Sequence, residues 1–99
     1  MEFVRVHGEL NQQGAFIVRA TEIEGMTAQQ IQQHLAMPYL PTHISDVAVP
    51  AATRLRQRAC KWDGLAHNHY SGFPNPGGIQ YQLLDQIPAS SFTNMRPLP

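Results

Sequence analysis

The chain has 99 residues, of which 42% are apolar and only 14% are charged, and its seven basic and seven acidic side chains give no formal net charge. This length fits a single domain over residues 1–99, and the apolar content is too high for a disordered chain. The zero net charge argues weakly against a nucleic-acid binder, which usually has a basic excess. Cys60 is the only cysteine, which excludes an intrachain disulfide and a cysteine-based zinc site.

Membrane insertion is not expected from this sequence. A membrane-spanning helix needs about 20 predominantly apolar residues in succession, and no run in this chain approaches that length. The first residues, MEFVR, lack the charged and then apolar segments of a signal peptide. We therefore expect no stable membrane insertion, and any export would depend on another part of the protein.

The first part of the chain predicts two β-strands. Residues 2–7 alternate between apolar and polar, with Arg5 and His7 on the same side of the strand. The polar segment 8–14 has the composition of a turn, and residues 15–20 form the second predicted strand.

A short helix is predicted next. Thr27 and Gln30 have the T-x-x-Q spacing of a capping box, in which each side chain accepts a hydrogen bond from the other residue's backbone N–H. The helix should end before Pro38, because proline disfavours the helical conformation of the residue that precedes it. We expect a helix over residues 28–36, with Ile31 on its apolar face.

The second half of the chain predicts three further strands, over residues 42–49, 53–60 and 79–84. A long segment from 61 to 78 separates the last two, and a segment of this length is usually functional or disordered. In the tail, only the packing of Phe92 is predicted. The expected fold class is therefore α+β: a small, mostly antiparallel β-sheet with one short helix in the N-terminal half.

The fourth predicted strand carries an arginine stripe, because Arg54, Arg56 and Arg58 alternate along it. Such a stripe could contact phosphates or RNA. It could equally protect an edge strand from aggregation or form the surface on which an acidic inhibitor docks. The last two interpretations are favoured.

A glycine pair enters the last predicted strand, in the order Gly77, Gly78, Ile79, Gln80, Tyr81. Glycines allow a ligand to approach the backbone closely, and the Gln80 amide could hold a ribose hydroxyl or a carboxamide. The alternative is an ordinary glycine bend before a strand, which the spacing alone favours.

The first two strands also carry candidate phosphate ligands. Arg5 and His7 share one side of the first strand, and Arg19 lies on the second, on the same side as Ile17. The planar guanidinium group suits phosphate binding, although the same residues could form a solvated strand face.

The histidines allow two further interpretations. His67 and His69 have the spacing of two metal ligands, but zinc sites normally use three or four protein ligands, so no metal site is expected. His7, His34 or His43 could serve as the general base of an RNase mechanism, and no spacing selects one of them.

Three long phrases resemble a known class of toxins. They are VRVHG, GAFIVRATEIEGMTAQQIQQHLAMPYLPTHISDVAVP and GGIQYQLLDQIPASSFTNMRPL, which together leave out roughly residues 57–72. They resemble the C-terminal toxin domains of CdiA-type, filamentous-haemagglutinin-like proteins of contact-dependent growth inhibition. This resemblance implies a polymorphic-toxin effector domain that is exported at the end of a large surface exoprotein. It also implies action in the cytoplasm of a target bacterium, and a cognate immunity protein.

A weaker resemblance concerns the chemistry, and it is to NAD-consuming enzymes of the ADP-ribosyltransferase and necrotizing-toxin type. The matching patterns are Arg5 followed by Gly14-Ala15-Phe16, the Met37-Pro38 turn, and Phe73 followed by Gly77-Gly78-Ile79-Gln80. The resemblance implies that the arginine binds cofactor phosphates, that aromatic rings cover the nicotinamide, and that Gln80 faces the nicotinamide ribose. The expected catalytic residues are Gln80, Arg5 and His7, and the expected NAD-binding residues are Arg19, Phe16, Phe73, Gly77, Gly78 and Tyr81.

The resulting expectation is a toxin that cleaves NAD at the nicotinamide–ribose bond, as a glycohydrolase, a cyclase or an ADP-ribosyltransferase. NAD would be a substrate, and no permanently bound cofactor is expected. The alternative is a metal-independent RNase acting on tRNA or rRNA, in which case nucleic acid would be the partner. A non-enzymatic binding module is the third possibility. The absence of a basic excess favours a dinucleotide over a long RNA backbone.

Overall fold

The computed structural model describes residues 2–60 and 77–99. In these ranges the chain forms six antiparallel strands in one open sheet and one α-helix, which confirms the predicted small, mostly β, α+β fold. The elements are β1 (Phe3–His7), β2 (Phe16–Arg19), α1 (Ala28–His34), β3 (His43–Val47), β4 (Leu55–Ala59), β5 (Ile79–Leu83) and β6 (Phe92–Pro97), with short 3-10 turns at Ala20–Glu22 and Ala89–Ser91.

The strands lie in the order β4-β5-β2-β1-β3-β6, so β1 is central and β4 is an edge strand in the described part of the sheet. The register pairs Phe3 of β1 with Arg19 of β2 on one side and with Val47 of β3 on the other. The edge position of β4 agrees with one of the interpretations of the arginines, because charged side chains on an edge strand discourage pairing with other chains.

Strand β6 is not predicted by the sequence, where only the packing of Phe92 is expected. Its middle residues, Thr93, Asn94 and Met95, have no strong alternating pattern, and Asn94 adopts a left-handed conformation with φ of 55°. The strand forms because its backbone pairs with β3, with a register shift beside Asp46.

Both faces of the sheet carry an apolar core, because neighbouring side chains on a strand point to opposite faces. On the face that packs against α1, called here the helix face, the buried cluster contains Val4, Val6, Val18, Ile23, Ile31, Leu35 and Cys60. On the opposite face the cluster contains Phe3, Ile17, Val47, Leu83, Ile87 and Phe92.

The capping box predicted for α1 is present. The backbone N–H of Gln30 donates to Thr27 Oγ1 at 3.3 Å, and the backbone N–H of Thr27 donates to Gln30 Oε1 at 2.9 Å. The helix ends at His34 rather than at residue 36, since Ala36 has φ of 54° and the Met37 N–H donates to the Gln32 carbonyl at 3.0 Å. This closure is typical of a Schellman motif.

Candidate functional site

A cleft lies where the end of α1 meets the helix face of β1, β2 and β5; it is called the helix-end cleft below. Its volume is about 260 Å³, close to the lower end of the range of small-molecule sites. Its lining includes three residues from the predicted site, one on each of the three strands, together with the segment that follows the helix. The side chains that matter below are Arg5, Phe16, Gln80, Leu35, Met37 and Tyr39.

The strand register explains why Gln80 lies in this cleft. Ile17 of β2 pairs with Tyr81 of β5, and Phe16 pairs with Gln82. Side chains alternate along a strand, so Phe16, Gln80 and Gln82 all lie on the helix face. The sequence predicts Gln80 and Phe16 as site residues, and the structure brings them to the same cleft.

Gly78 brings the end of α1 close to β5. Its N–H donates to the His34 carbonyl at 3.1 Å, and a Cβ added at Gly78 would lie 2.5 Å from the same oxygen. The small size of Gly78 therefore allows the end of α1 to pack closely in this structure. The predicted role is different: close approach of a ligand to the backbone. Gly77 is exposed and has φ of 76°, a conformation that glycine adopts without strain.

Arg5 leaves β1 on the face opposite α1, as Phe3 and His7 do, and its guanidinium is bound by backbone carbonyls of the β1–β2 connection and of Phe16, the first residue of β2. Nε donates to the Gln12 carbonyl at 3.1 Å, Nη1 to the Phe16 carbonyl at 3.1 Å and Nη2 to the Asn11 carbonyl at 3.3 Å. Burial lowers the pKa of Arg5 below its usual value, and the nearby Tyr39 opposes part of this shift. Arg5 thus holds the backbone that presents Phe16 to the cleft.

His7, predicted as a catalytic residue, does not line the cleft. Its side chain is fully buried, and Nε2 lies 2.8 Å from Ser45 Oγ. Gln12 Nε2 donates to the same hydroxyl at 3.1 Å, and the His43 ring stacks beside His7 with centroids 6.2 Å apart. Burial, followed by the charges of Arg5 and His43, lowers the pKa of His7. The arrangement is that of a buried polar network within the fold.

Arg19 and Tyr81, both predicted to bind NAD, lie on the opposite face of the sheet. The Arg19 guanidinium carbon is 5.6 Å from the centre of the Tyr81 ring, and that ring meets Phe3 edge-on at 5.5 Å. The register pairs Arg19 with Phe3 and Tyr81 with Ile17, which places all four on that face. The structure does not bring these two residues to the helix-end cleft.

Some predicted residues lie outside the described ranges. Phe73 and the His67/His69 pair belong to this group. Within residues 2–60 and 77–99, no group of three or more His, Cys, Asp or Glu side chains could hold a metal ion. No helix in those same ranges is long and apolar enough to cross a membrane.

Tyr39 also lines the cleft, and the sequence does not predict it as a site residue. Its ring is 42% exposed, and Phe16 on the strand side of the cleft is 40% exposed. The two rings lie on different walls of the cleft, where they offer apolar surface on which a planar ligand can stack. The only local signal is the position of Tyr39 directly after Pro38, in a rigid connector.

A second polar cluster lies near the start of β5. His34 Nε2 lies 2.7 Å from Glu22 Oε2, which also accepts the Ile79 N–H at 3.3 Å. Burial and the nearby Glu22 charge raise the pKa of the Cys60 thiol to about 11. Since the thiolate is the nucleophilic form, Cys60 is unreactive at neutral pH.

Comparisons with protein-family models, curated proteins and solved structures find no significant match to this chain. Its function has to be inferred from the residues that meet in the helix-end cleft and from their chemistry.

Proposed function

We propose that the helix-end cleft binds the nicotinamide and its ribose, and that this domain cleaves the bond between them in NAD. The observation that carries the proposal is that Phe16 and Gln80, on neighbouring strands, meet on the helix face in one cleft, whose lining also includes Arg5. The Met37-Pro38 turn lines the same cleft. These are four of the sequence features that resemble NAD-consuming enzymes.

The proposed roles follow from the chemistry of the bond. When the bond between the ribose carbon and the nicotinamide nitrogen breaks, its electron pair goes to the nitrogen and neutralises the pyridinium charge. Nicotinamide therefore leaves as a neutral molecule, and no strong general acid is needed. The positive charge moves to the ribose as an oxocarbenium ion, which the fixed dipole of the Gln80 carbonyl would stabilise.

The aromatic residues would hold the leaving group. Phe16 and Tyr39 supply ring surfaces on two sides of the cleft, where a nicotinamide can stack. Arg5 acts through Phe16, whose carbonyl it binds, and is a positioning residue in this scheme. Water then adds to the ribose carbon and loses a proton, which gives ADP-ribose. Attack by the adenine ring of the same NAD molecule would instead give a cyclic product, and attack by a nucleophile of a target protein would give transfer.

The biological setting of the proposal rests on the resemblance to contact-dependent growth-inhibition toxins. Under it, the domain is the effector at the end of an exported surface protein and depletes NAD in the cytoplasm of a neighbouring bacterium. The producing cell would need a cognate immunity protein. The low charge of the domain leaves hydrogen bonding and shape as the main means of that recognition.

The direct test is to incubate the purified domain with NAD and to measure the release of nicotinamide by chromatography. We expect wild type to release nicotinamide, and Gln80→Ala to lower the rate by about 100-fold or more, because a fixed dipole aimed at the reacting centre is lost. The matched control is Gln57→Ala, which removes an exposed glutamine on β4 that pairs with Tyr81 and lies on the opposite face. We expect this control to keep the wild-type rate.

Two results would contradict the proposal. If the wild-type domain is toxic in cells yet releases no nicotinamide, the domain does not act by cleaving NAD. If Gln80→Ala and Gln57→Ala release nicotinamide at equal rates, and circular dichroism shows that both variants are folded, then Gln80 has no role in the reaction.

The RNase alternative is supported by one observation, the Glu22–His34 pair beside the start of β5. A carboxylate that orients a histidine is a common arrangement for a general base. Cells that express the domain separate the two activities: broken tRNA or rRNA with normal NAD levels would favour the RNase, and depleted NAD with intact RNA would favour the glycohydrolase.

A further inference from the structure

The arginines of the edge strand lie on the same face of the sheet as the helix-end cleft. The register pairs Arg58 of β4 with Gln80 of β5, and Arg56 with Gln82. Gln82 in turn pairs with Phe16 of β2. Directly opposite residues in antiparallel strands have Cβ atoms about 4.5–5.5 Å apart. Arg56, Gln82 and Phe16 therefore form one row across three strands, and Arg58 lies beside Gln80 in the next row.

These two arginines are differently placed from Arg54, the third member of the stripe. Arg54 donates to the Asp85 carboxylate, with Nη2 2.6 Å from Oδ1. Arg56 and Arg58 are exposed, and their direct neighbours across β5 are the neutral amides Gln82 and Gln80. The register thus places no carboxylate opposite either guanidinium, and their positive charge is not neutralised by the strand beside them.

The Arg58 side chain lies over β5 rather than extending outward from the sheet edge. Its Nη1 donates to Gln82 Oε1 at 3.3 Å, although its direct partner is Gln80. This diagonal bond draws the guanidinium toward the row that ends at Phe16. A guanidinium held in this way keeps further N–H donors of its planar fork for a second acceptor.

The cleft itself has room for only part of a dinucleotide. A volume of about 260 Å³ suits one ring and its ribose, so the rest of such a ligand must continue over the open sheet surface. The Arg5 guanidinium already donates to three backbone carbonyls, which leaves it a poor candidate for the phosphates. Arg56 lies two strands away from Phe16, with Gln82 between them, and each strand spacing is about 4.8 Å.

We propose that Arg56 and Arg58 form a diphosphate subsite for a nucleotide whose other end occupies the helix-end cleft. The identity of that other end rests on the proposed function, whereas the diphosphate subsite rests on the register and the exposed guanidinium groups. Two adjacent planar forks on neighbouring rows can each bind one phosphate in a bidentate manner. The substrate class is therefore a nucleoside diphosphate or a molecule that contains one.

The test uses ADP as the probe and isothermal titration calorimetry on the full domain. We expect Arg56→Gln and Arg58→Gln each to weaken ADP binding by about tenfold, because each removes a charge-assisted phosphate contact. The matched control is Arg19→Gln, which removes the same charge from the opposite face. We expect the control to stay within about twofold of wild type, since distant surface charges are screened. Thermal unfolding checks that all three variants fold, as substitutions at exposed positions should.

The outcomes separate this inference from the proposed cleavage. ADP binding that weakens in both β4 variants supports the subsite even if no nicotinamide is ever released. Absence of ADP binding to wild type, or equal losses in all three variants, overturns the subsite even if nicotinamide is released. Single-stranded RNA gives a further outcome. If RNA binding depends on both arginines and ADP does not displace the RNA, the diphosphate subsite is overturned and the two arginines form an RNA-binding surface.

Discussion

At the scale of single residues, His7 is a buried histidine on the central strand β1. The alternating strand places it beside Arg5, where it qualifies as a site residue, and the structure buries it completely. It bonds with Ser45, which is itself fully buried. A buried histidine that cannot easily take up a proton makes stability depend on pH.

The pH dependence has a definite direction. Burial lowers the pKa of His7 in the folded state, while the unfolded chain titrates near 6.5. As pH falls, the unfolded state takes up the proton first, so the stabilisation is present above about pH 6.5 and is lost below it, down to the folded-state pKa. We expect urea unfolding to give a lower free energy of unfolding at about pH 5.5 than at about pH 7.5. We expect the difference in the free energy of unfolding between these two pH values to be smaller for His7→Gln than for wild type. Equal differences in the two proteins would contradict the role of His7 in the pH dependence.

Arg5 has different contacts in the structure from those that the resemblance implies. The resemblance assigns it to phosphates, and the structure places it against the cleft with its guanidinium bound by main-chain carbonyls. Those carbonyls come from a connection between two strands, and no pattern in the sequence indicates that the connection folds back over Arg5.

At the scale of the elements, α1 is the part whose local signals are strongest. Its start depends on bonds between residues only three apart, so the sequence contains the whole interaction. Its end depends on packing against Gly78 of the strand entry, and the predicted end is two residues too late. This difference is within the usual variation of helix boundaries.

The capping box yields a test of this local origin. We expect Thr27→Ala to lower the free energy of unfolding by about 1 kcal/mol, because the Gln30 N–H loses its acceptor at the helix start. The control Gln33→Ala changes an exposed position of α1 that takes no part in the box. We expect it to be neutral or slightly stabilising, since alanine is the better helix former. Equal urea midpoints for the two variants would show that the box contributes nothing measurable.

Strand β6 shows the limit of element prediction. Its sequence, FTNMRP, contains two residue types that favour strands, at Phe92 and Thr93, and a terminal proline. What makes it a strand is its partner β3, with Asn94 Nδ2 donating to Asp46 at 3.0 Å and Arg96 pairing with the same carboxylate at 3.2 Å. Such support comes from residues about 50 positions away, which no local pattern reveals.

At the scale of the whole molecule, the helix-end cleft exists because α1 docks closely onto the sheet. Gly78 permits this approach, since any side chain there would meet the His34 carbonyl and the Leu35 side chain. The same contact sets the distance between the segment after the helix and Gln80, which form two walls of the cleft.

We therefore expect Gly78→Ala to lower the free energy of unfolding by about 1–3 kcal/mol, the usual cost of overpacking. The added methyl group must push the end of α1 away from β5, so ligand binding in the cleft should weaken as well. Urea unfolding measures the first effect, and titration with NAD measures the second. A Gly78→Ala protein as stable as wild type would show that the helix end can shift at little cost.

The sequence by itself determined the α+β class, the strands other than β6 and the capped helix. These features depend on alternation along a strand or on bonds between near neighbours, which are interactions that lie within a few residues of each other. Only the tertiary structure decided that Arg19 and Tyr81 lie on the other face, that His7 is buried, and that Tyr39 joins the cleft. It also placed Arg56 and Arg58 beside Gln82 and Gln80. Each of these outcomes depends on which strands are neighbours and in which register they pair, and register is a property of the assembled sheet.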